Sequence, residues 1–252
     1  TADLIVRGGA PSENLTLLDD VPIPNANHFP EYGGAGGAIS MLNIELVRGV
    51  SFYTGGFPVQ HGDKLSSALE IKLRDGNRAE ISGDLDVSIA GAGLVLEGPL
   101  DRGRGSFLLN GRRSYVDLIA TRLGTTTVPT YTDFQGKITW QPDARTTLSL
   151  LGVAGFDRIL MDDANDSYSR GFDYVDAVQA QYAAGFTWKR LLGERGYAMA
   201  TLHRSENNYE YDIRDRLRPG TALESLYVTD SWEGETGLRA RSVLRLWPAA
   251  DL

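Results

Sequence analysis

Three histidines, His28, His61 and His203, are the side chains best suited to hold a transition metal or move a proton, and no two of them lie within a few residues of each other. Zinc ligands usually cluster at short spacings, so the pattern argues against a local metal site. The sequence has no cysteine, which removes thiolate ligands and a disulfide scaffold. Asp162-Asp163 and Asn165-Asp166 would attract calcium but lack the twelve-residue order of an EF-hand, and they read as an acidic loop. Gly33-Gly34-Ala35-Gly36-Gly37 has the composition of a phosphate loop without its Lys-Ser/Thr and without a preceding strand. No nucleophile is paired with a base and no two carboxylates are spaced for acid–base work, so an enzyme is not expected. What remains is recognition chemistry. Asn25, Asn27, His28, Phe29 and Tyr32 share one loop, and Phe52, Tyr53 and Phe57 flank Gly55-Gly56. Amide, imidazole and aromatic groups of this kind are suited to contacting a small ligand.

The elements that must position these groups fall into two kinds. Residues 1–77 read as a small α+β unit of short strands and glycine-rich turns. Leu4-Ile5-Val6 predicts a brief strand ended by Arg7-Gly8-Gly9, and Leu15–Leu18 predicts another, stopped by Asp19-Asp20 and Pro22. The stretch from Pro22 to Gly37 holds no periodicity. Ile44–Val47 and Ala68–Leu73 predict two further strands, and Asp75-Gly76-Asn77 is a strong turn signal.

From residue 78 to 252 the pattern becomes alternating segments of about ten residues, the length a tilted strand needs to cross a bilayer. Phe134, Gly136, Ile138 and Trp140 oppose Gln135, Lys137 and Thr139; Tyr182, Ala184, Phe186 and Trp188 oppose Ala183, Gly185, Thr187 and Lys189. Leu238, Ala240 and Leu244 oppose Arg239, Arg241 and Arg245. Short connections at Pro99–Gly105, Gln141–Arg145, Leu191–Gly196 and Trp247–Asp251 alternate with longer polar ones at Ser114–Thr130, Asp157–Gly171 and Asp212–Glu224. About eight antiparallel strands are expected. Aromatic residues at strand ends (Trp140, Trp188, Trp247, Tyr131, Tyr174, Tyr227) suit interfacial girdles. Alternation alone leaves open which face is inside, so a soluble sandwich or lipocalin-like barrel competes with a membrane barrel. No stretch approaches the roughly 20 apolar residues of a spanning helix. A net charge of −8 with no basic run disfavours a nucleic-acid partner.

The order of short motifs in the first part then points to one family. Val6-Arg7-Gly8-Gly9 followed by Leu17-Leu18-Asp19-Asp20-Val21-Pro22, then Ile44-Glu45-Leu46-Val47-Arg48-Gly49, then His61-Gly62 and Ser66-Ser67-Ala68-Leu69-Glu70-Ile71, resembles the plug domain of TonB-dependent outer-membrane receptors. Gly105-Ser106-Phe107 to Arg112-Arg113-Ser114-Tyr115 is similar to early barrel strands of such receptors from the Bacteroidota. The sequence departs from the pattern at Asp20, where the family has Gly, at His61 in place of Tyr, and at Ser66-Ser67 in place of a Gly pair.

The resemblance implies a mainly β fold, with a plug over residues 1–77 and about 8 of an expected 22 antiparallel transmembrane barrel strands over 78–252, in a piece that begins after the TonB box. It implies location in the outer membrane of a Gram-negative cell, among its lipids, and energised uptake of a scarce nutrient such as a siderophore, vitamin, glycan or peptide. TonB would be the energising partner, and no cofactor is implied. A passive plugged porin or adhesin is the competing expectation. By position, Arg7, Glu45 and Arg48 are the plug charges expected to touch the barrel wall. The loop bearing Asn25, Asn27, His28, Phe29 and Tyr32 is expected to face outside, where it and Phe52, Tyr53 and Phe57 would meet a ligand.

Overall fold

The computed structural model describes residues 4–30, 37, 39–58, 60–62, 64–88, 91–115, 117, 127–162, 174–215 and 222–245. Its first part contains β1 (Asn14–Leu18), β2 (Val21–Pro22), β3 (Asn27–His28), β4 (Ile39–Ser40), β5 (Val47–Thr54) and β6 (Ser67–Leu73). Four of these form a mixed sheet in the order β2-β1-β6-β5, with β1 parallel to β6, while β3 and β4 pair separately. The helical component among the described residues of this plug consists of single 3-10 turns at Pro11–Glu13 and Ile44–Leu46.

Local chemistry explains two departures from the expected strands. Asn43 accepts the Glu45 N–H on its side chain, which winds Ile44–Leu46 into a turn before the strand begins at Val47. Leu4-Ile5-Val6 forms no strand, because Arg7 and Gly8 turn the chain at positive φ (51° and 79°) with a bond from Gly9 N–H to the Val6 carbonyl. The β1–β2 hairpin closes through Asp19 and Asp20, both left-handed (φ 48° and 70°), with Leu18 opposite Val21. A two-residue hairpin favours glycine or short polar residues in that conformation, so Asp20 fits the turn where the family carries Gly.

The second part is one antiparallel meander: β7 (Ser82–Val87), β8 (Gly91–Leu100), β9 (Gly105–Ser114), β10 (Thr127–Asp143), β11 (Thr146–Asp162), β12 (Tyr174–Leu191), β13 (Gly196–Asp215) and β14 (Glu224–Leu244). All eight pair in chain order, as the alternation predicts. The last five run 17 to 21 residues, longer than expected. A tilted span needs only about 9–11, so these strands exceed the length that a bilayer crossing requires. Outward-facing ion pairs lie along them: Arg158 with Asp176 at 2.8 Å, Arg204 with Glu206 at 2.7 Å, and Arg214 with Asp212.

Burial settles which face is inside. On β10, Asp133, Gln135, Lys137 and Thr139 are 0–9% exposed against the plug, whereas Phe134, Ile138 and Trp140 are 36–53% exposed. Leu109, Leu150, Phe156, Tyr182, Phe186 and Leu202 continue that exposed apolar face. A soluble barrel does the reverse; a wall whose outside meets lipid is built this way.

Plug and wall also share an apolar core. Leu18, Val21, Ile23, Met41, Leu42, Leu46, Ile71 and Leu73 of the plug pack with Val95, Leu108, Leu151, Val153 and Ala183 of the wall. Two wall glycines make room for it. A Cβ at Gly185 would collide with the Val21 side chain, and one at Gly155 with the Met41 sulfur.

Candidate functional site

The polar seam where plug meets wall is built on three levels. At the first, β3 presents His28, with no exposed surface, between two strands. Its Nδ1 lies 2.5 Å from Asp157 Oδ1 on β11, and its Nε2 lies 3.0 Å from Asp133 Oδ2 on β10. The preceding turn is set by Asn25, whose side-chain oxygen accepts the Asn27 N–H at 3.0 Å. Phe29, left-handed at φ 56°, then donates its N–H to Asp157 Oδ2 at 2.8 Å. The Tyr131 ring closes the site at 4.5 Å from the imidazole. From β9, Arg112 donates Nε to both Asp133 oxygens at 3.1 Å and Nη2 to the Ser40 and Met41 carbonyls at 2.8 Å.

A neutral imidazole carries one N–H, so it can donate to only one of two carboxylates; the imidazolium donates to both. Burial lowers the His28 pKa, but the hydrogen bonds and charges of Asp133 and Asp157 outweigh it and hold the pKa above the ordinary 6.5. In its charged form His28 bridges the plug to two wall strands.

At the second level the bonds are between amides. Asn43 Nδ2 donates to Asn110 Oδ1 at 2.9 Å, and Gln135 Nε2 donates to the Met41 carbonyl at 2.9 Å. The third level lies toward the short connections. Lys137 Nζ is 3.0 Å from Asp19 Oδ2 and 3.1 Å from Asp75 Oδ1, and donates to the Leu73 carbonyl at 3.0 Å. Arg74 pairs with Glu97 at 2.5 Å, the Asn77 N–H donates to the same carboxylate at 2.8 Å, and Arg78 donates to Gln141 Oε1 at 2.7 Å. Farther along the sheet, Asp20 meets Lys72 at 2.5 Å and Arg241 of β14 at 3.2 Å, while Arg239 donates to the Gln60 carbonyl at 2.9 Å. A wall that is polar toward an embedded plug and apolar outside, joined to it by buried charge, is now complete.

Solved structures similar to this chain in fold include BauA, the ferric preacinetobactin receptor from Acinetobacter baumannii, at 11% identity and a TM-score of 0.55 over 90% of this chain and 36% of that one. They include also the siderophore receptor PirA from Pseudomonas aeruginosa, at 15% identity and a TM-score of 0.54 over 96% of this chain and 47% of that one. The fold is that of a TonB-dependent outer-membrane receptor. The chain spans less than half the length of these receptors. No family model matches the sequence, and no curated protein matches it.

Within this receptor fold the three expected plug charges lie elsewhere than at the wall. Arg7, Glu45 and Arg48 are exposed, and none forms an ion pair among the described residues. The Arg7 guanidinium lies over Gly55, inside the plug itself. Glu45 serves the seam only through its carbonyl, which accepts from Arg74 Nε at 3.2 Å. The crossing charges are Asp19, Asp20, His28, Arg74 and Asp75 from the plug side.

The expected ligand contacts divide as well. His28 and Asn25 are buried, at 0% and 3% exposure, so in this arrangement they have no surface for an external ligand, and His28 is a plug–wall clamp instead. Asn27 is half-buried and turns its carbonyl to Gln181 Nε2 of β12 at 2.9 Å. Phe29 packs edge-on to Tyr131. Tyr53 and Phe57 pack on Leu15, Leu17 and Ala68, and Tyr53 lies 5.5 Å from the ring of His61. Phe52 is exposed, and Tyr32 lies outside the described residues. His61, standing where the family has Tyr, is buried and 3.1 Å from Glu70, and burial lowers its pKa. A concavity of 1270 Å³ on the wall is lined chiefly by outward residues such as Leu94, Leu96, Leu109, Phe134 and Ile138, and also by Arg112 and Gln135 of the seam.

Asp133, Asp157 and Arg112 escaped the sequence reading. One signal for them was available: ionisable groups on the polar face of a membrane-length strand need partners, and Asp133 alternates with Phe134 as Lys137 does with Ile138.

Proposed function

We propose that the chain is a plug, divided from its wall near residue 77, and the first wall strands of a Gram-negative outer-membrane receptor that takes up a scarce nutrient when TonB drives rearrangement of the plug. The observation that carries this reading is the His28 clamp. A plug held by a buried imidazole between Asp133 and Asp157 stays in place without energy input, yet is held by contacts that can be broken in discrete steps. The exposed apolar face of the wall supports lipid as its surroundings. The role is transport, and no catalytic residue is assigned.

Siderophore, vitamin, glycan and peptide ligands all suit a plugged wall of this kind, and fold does not choose among them. BauA and PirA are named as receptors for ferric preacinetobactin and for a siderophore, which makes an iron chelate the first ligand to try. Uptake of radiolabelled ferric siderophores, and then of cobalamin, by cells carrying the full-length protein is the test, with and without TonB. Accumulation that disappears without TonB supports energised uptake. Accumulation that persists without TonB means a passive plugged channel, and absence of the protein from the outer-membrane fraction overturns both.

A further inference from the structure

The inner face of β12–β14 carries a set of buried polar atoms that the plug does not satisfy. The pairing aligns inward residues in rows: Gln179 with Tyr209 and Ser231, Gln181 with Asn207 and Glu233, Ala183 with Ser205 and Glu235, and Gly185 with His203 and Gly237. Gln179, Gln181, His203 and Asn207 are each at most 6% exposed. Gln179 Nε2, Gln181 Oε1, His203 Nδ1, Asn207 Oδ1 and Ser231 Oγ have no hydrogen-bond partner among the described residues. Natural proteins rarely leave one such atom buried, since each has given up water for nothing, and five along one ladder call for a function. Along these rows the Asn27 carbonyl accepts from Gln181 Nε2, Val21 fills the space over Gly185 and Ala183 packs in the plug–wall core, and one and two rows farther on Arg239 and Arg241 of β14 meet Gln60 and Asp20 of the plug.

We infer that this ladder is a binding subsite for a neutral polyhydroxylated solute, an extended oligosaccharide-like chain, uncovered when β3 withdraws from the wall. The inference rests on the receptor reading above. Amides, an imidazole and a hydroxyl offer donors and acceptors side by side, and a hydroxyl group, which both donates and accepts, is the ligand group that satisfies either kind. Glu233 and Glu235 at the ladder's edge are exposed and can each accept from neighbouring hydroxyls. Tyr209 and Tyr211 stack at 6.4 Å and 12°, adding flat aromatic surface for the apolar face of a sugar ring. Successive inward rows are about 7 Å apart, so four rows extend roughly 20 Å, which suits a short linear chain better than a compact chelate.

Calorimetric titration of the full-length protein in detergent with maltooligosaccharides tests this, with permethylated chains of equal length as the control without hydroxyls. The expected result is saturable binding by the native chains only. Gln181→Leu with Asn207→Leu weakens it at least tenfold, and Ser231→Ala about threefold. His28→Ala, which frees β3 from the wall, tightens it. Heat-modifiable electrophoretic mobility checks folding of each variant, and Ser231→Ala removes one hydroxyl from a half-buried site if the double variant fails to fold. No binding, equal binding of permethylated chains, or binding indifferent to Ser231→Ala overturns the subsite. These outcomes are separate from failure of the receptor reading, which is scored by recovery of the protein in outer membranes.

Discussion

Along β9–β11 the charges that the wall turns toward the plug all have partners: Arg112 and Asp133, Asp133 and His28, His28 and Asp157, Lys137 with Asp19 and Asp75. Along β12–β14 the buried polar groups are neutral, and several of their atoms have no partner. The same meander thus offers the plug a flank that grips through buried charge and a flank that mostly covers, gripping only where Arg239 and Arg241 of β14 meet Gln60 and Asp20. Buried charge must be matched or its desolvation is ruinous, so the gripping flank is specific to one plug position. Unmatched amides lose little when the plug leaves, so the covering flank is where separation costs least.

The comparison can be broken from the gripping side first. His28→Ala leaves Asp157 without its cationic partner, and loss of one partner of a buried ion pair costs about 3–5 kcal/mol. Plug docking, read from the urea dependence of protease cleavage within the plug of the folded protein, is expected to weaken by that order. A loss below about 1 kcal/mol would mean that the clamp does not hold the plug.

Raising the pH acts on the same contact less severely, because Arg112 still neutralises Asp133. With the His28 pKa raised, its contribution is complete below the ordinary value of 6.5 and is lost as pH climbs through the higher value. Plug protection should fall with rising pH in wild type and stay flat in His28→Ala. An equal slope in both would assign the effect to another group.

Gly185→Leu forces a side chain into the volume held by Val21, and overpacking of this kind costs roughly 1–3 kcal/mol. The damage should appear as partial plug release from the covering flank, with the His28–Asp157 contact intact by NMR of labelled histidine.

Gln179→Leu sharpens the contrast, since it deletes a buried atom without a partner. Stability should change by no more than about 1 kcal/mol, in the stabilising direction if at all. A loss above about 2 kcal/mol would show that the covering flank grips too.

Smallest of all, Asp20→Gly restores the residue usual in the resembling family. It relieves a left-handed aspartate but gives up the contacts to Lys72 and Arg241, which are partly exposed. These offset, and the midpoint of urea unfolding should move by less than about 1 kcal/mol.

Much of the wall was legible because period-two alternation is a local property. Phe134 and Ile138 opposite Gln135 and Lys137 are enough to define two faces, and the turn residues around Asp143 and Gly193 are enough to count strands. Which face is inside needed the plug motifs or the burial itself. The clamp was not legible, because His28 and Asp157 are 129 residues apart and alternation names a face without naming a partner. Position within a motif names no partner either: Arg7, Glu45 and Arg48 are exposed and pair with none of the described wall strands. Strand length was underestimated because polar residues at the strand ends read as loop, although β13 continues through Glu210 and Asp212 to Asp215.

The stretch from Arg74 to Arg78 joins the plug to the wall and is also fastened to it, through Glu97, Lys137, Thr139 and Gln141. Gly76 lies so close to the Phe107 carbonyl that no side chain fits between them. The plug is therefore anchored at one end, on the rim of the short connections. A pull on its other end acts through a lever arm about that anchor, so the plug swings instead of sliding out. Bonds farthest from the pivot, the His28 clamp among them, travel the longest arc in such a swing.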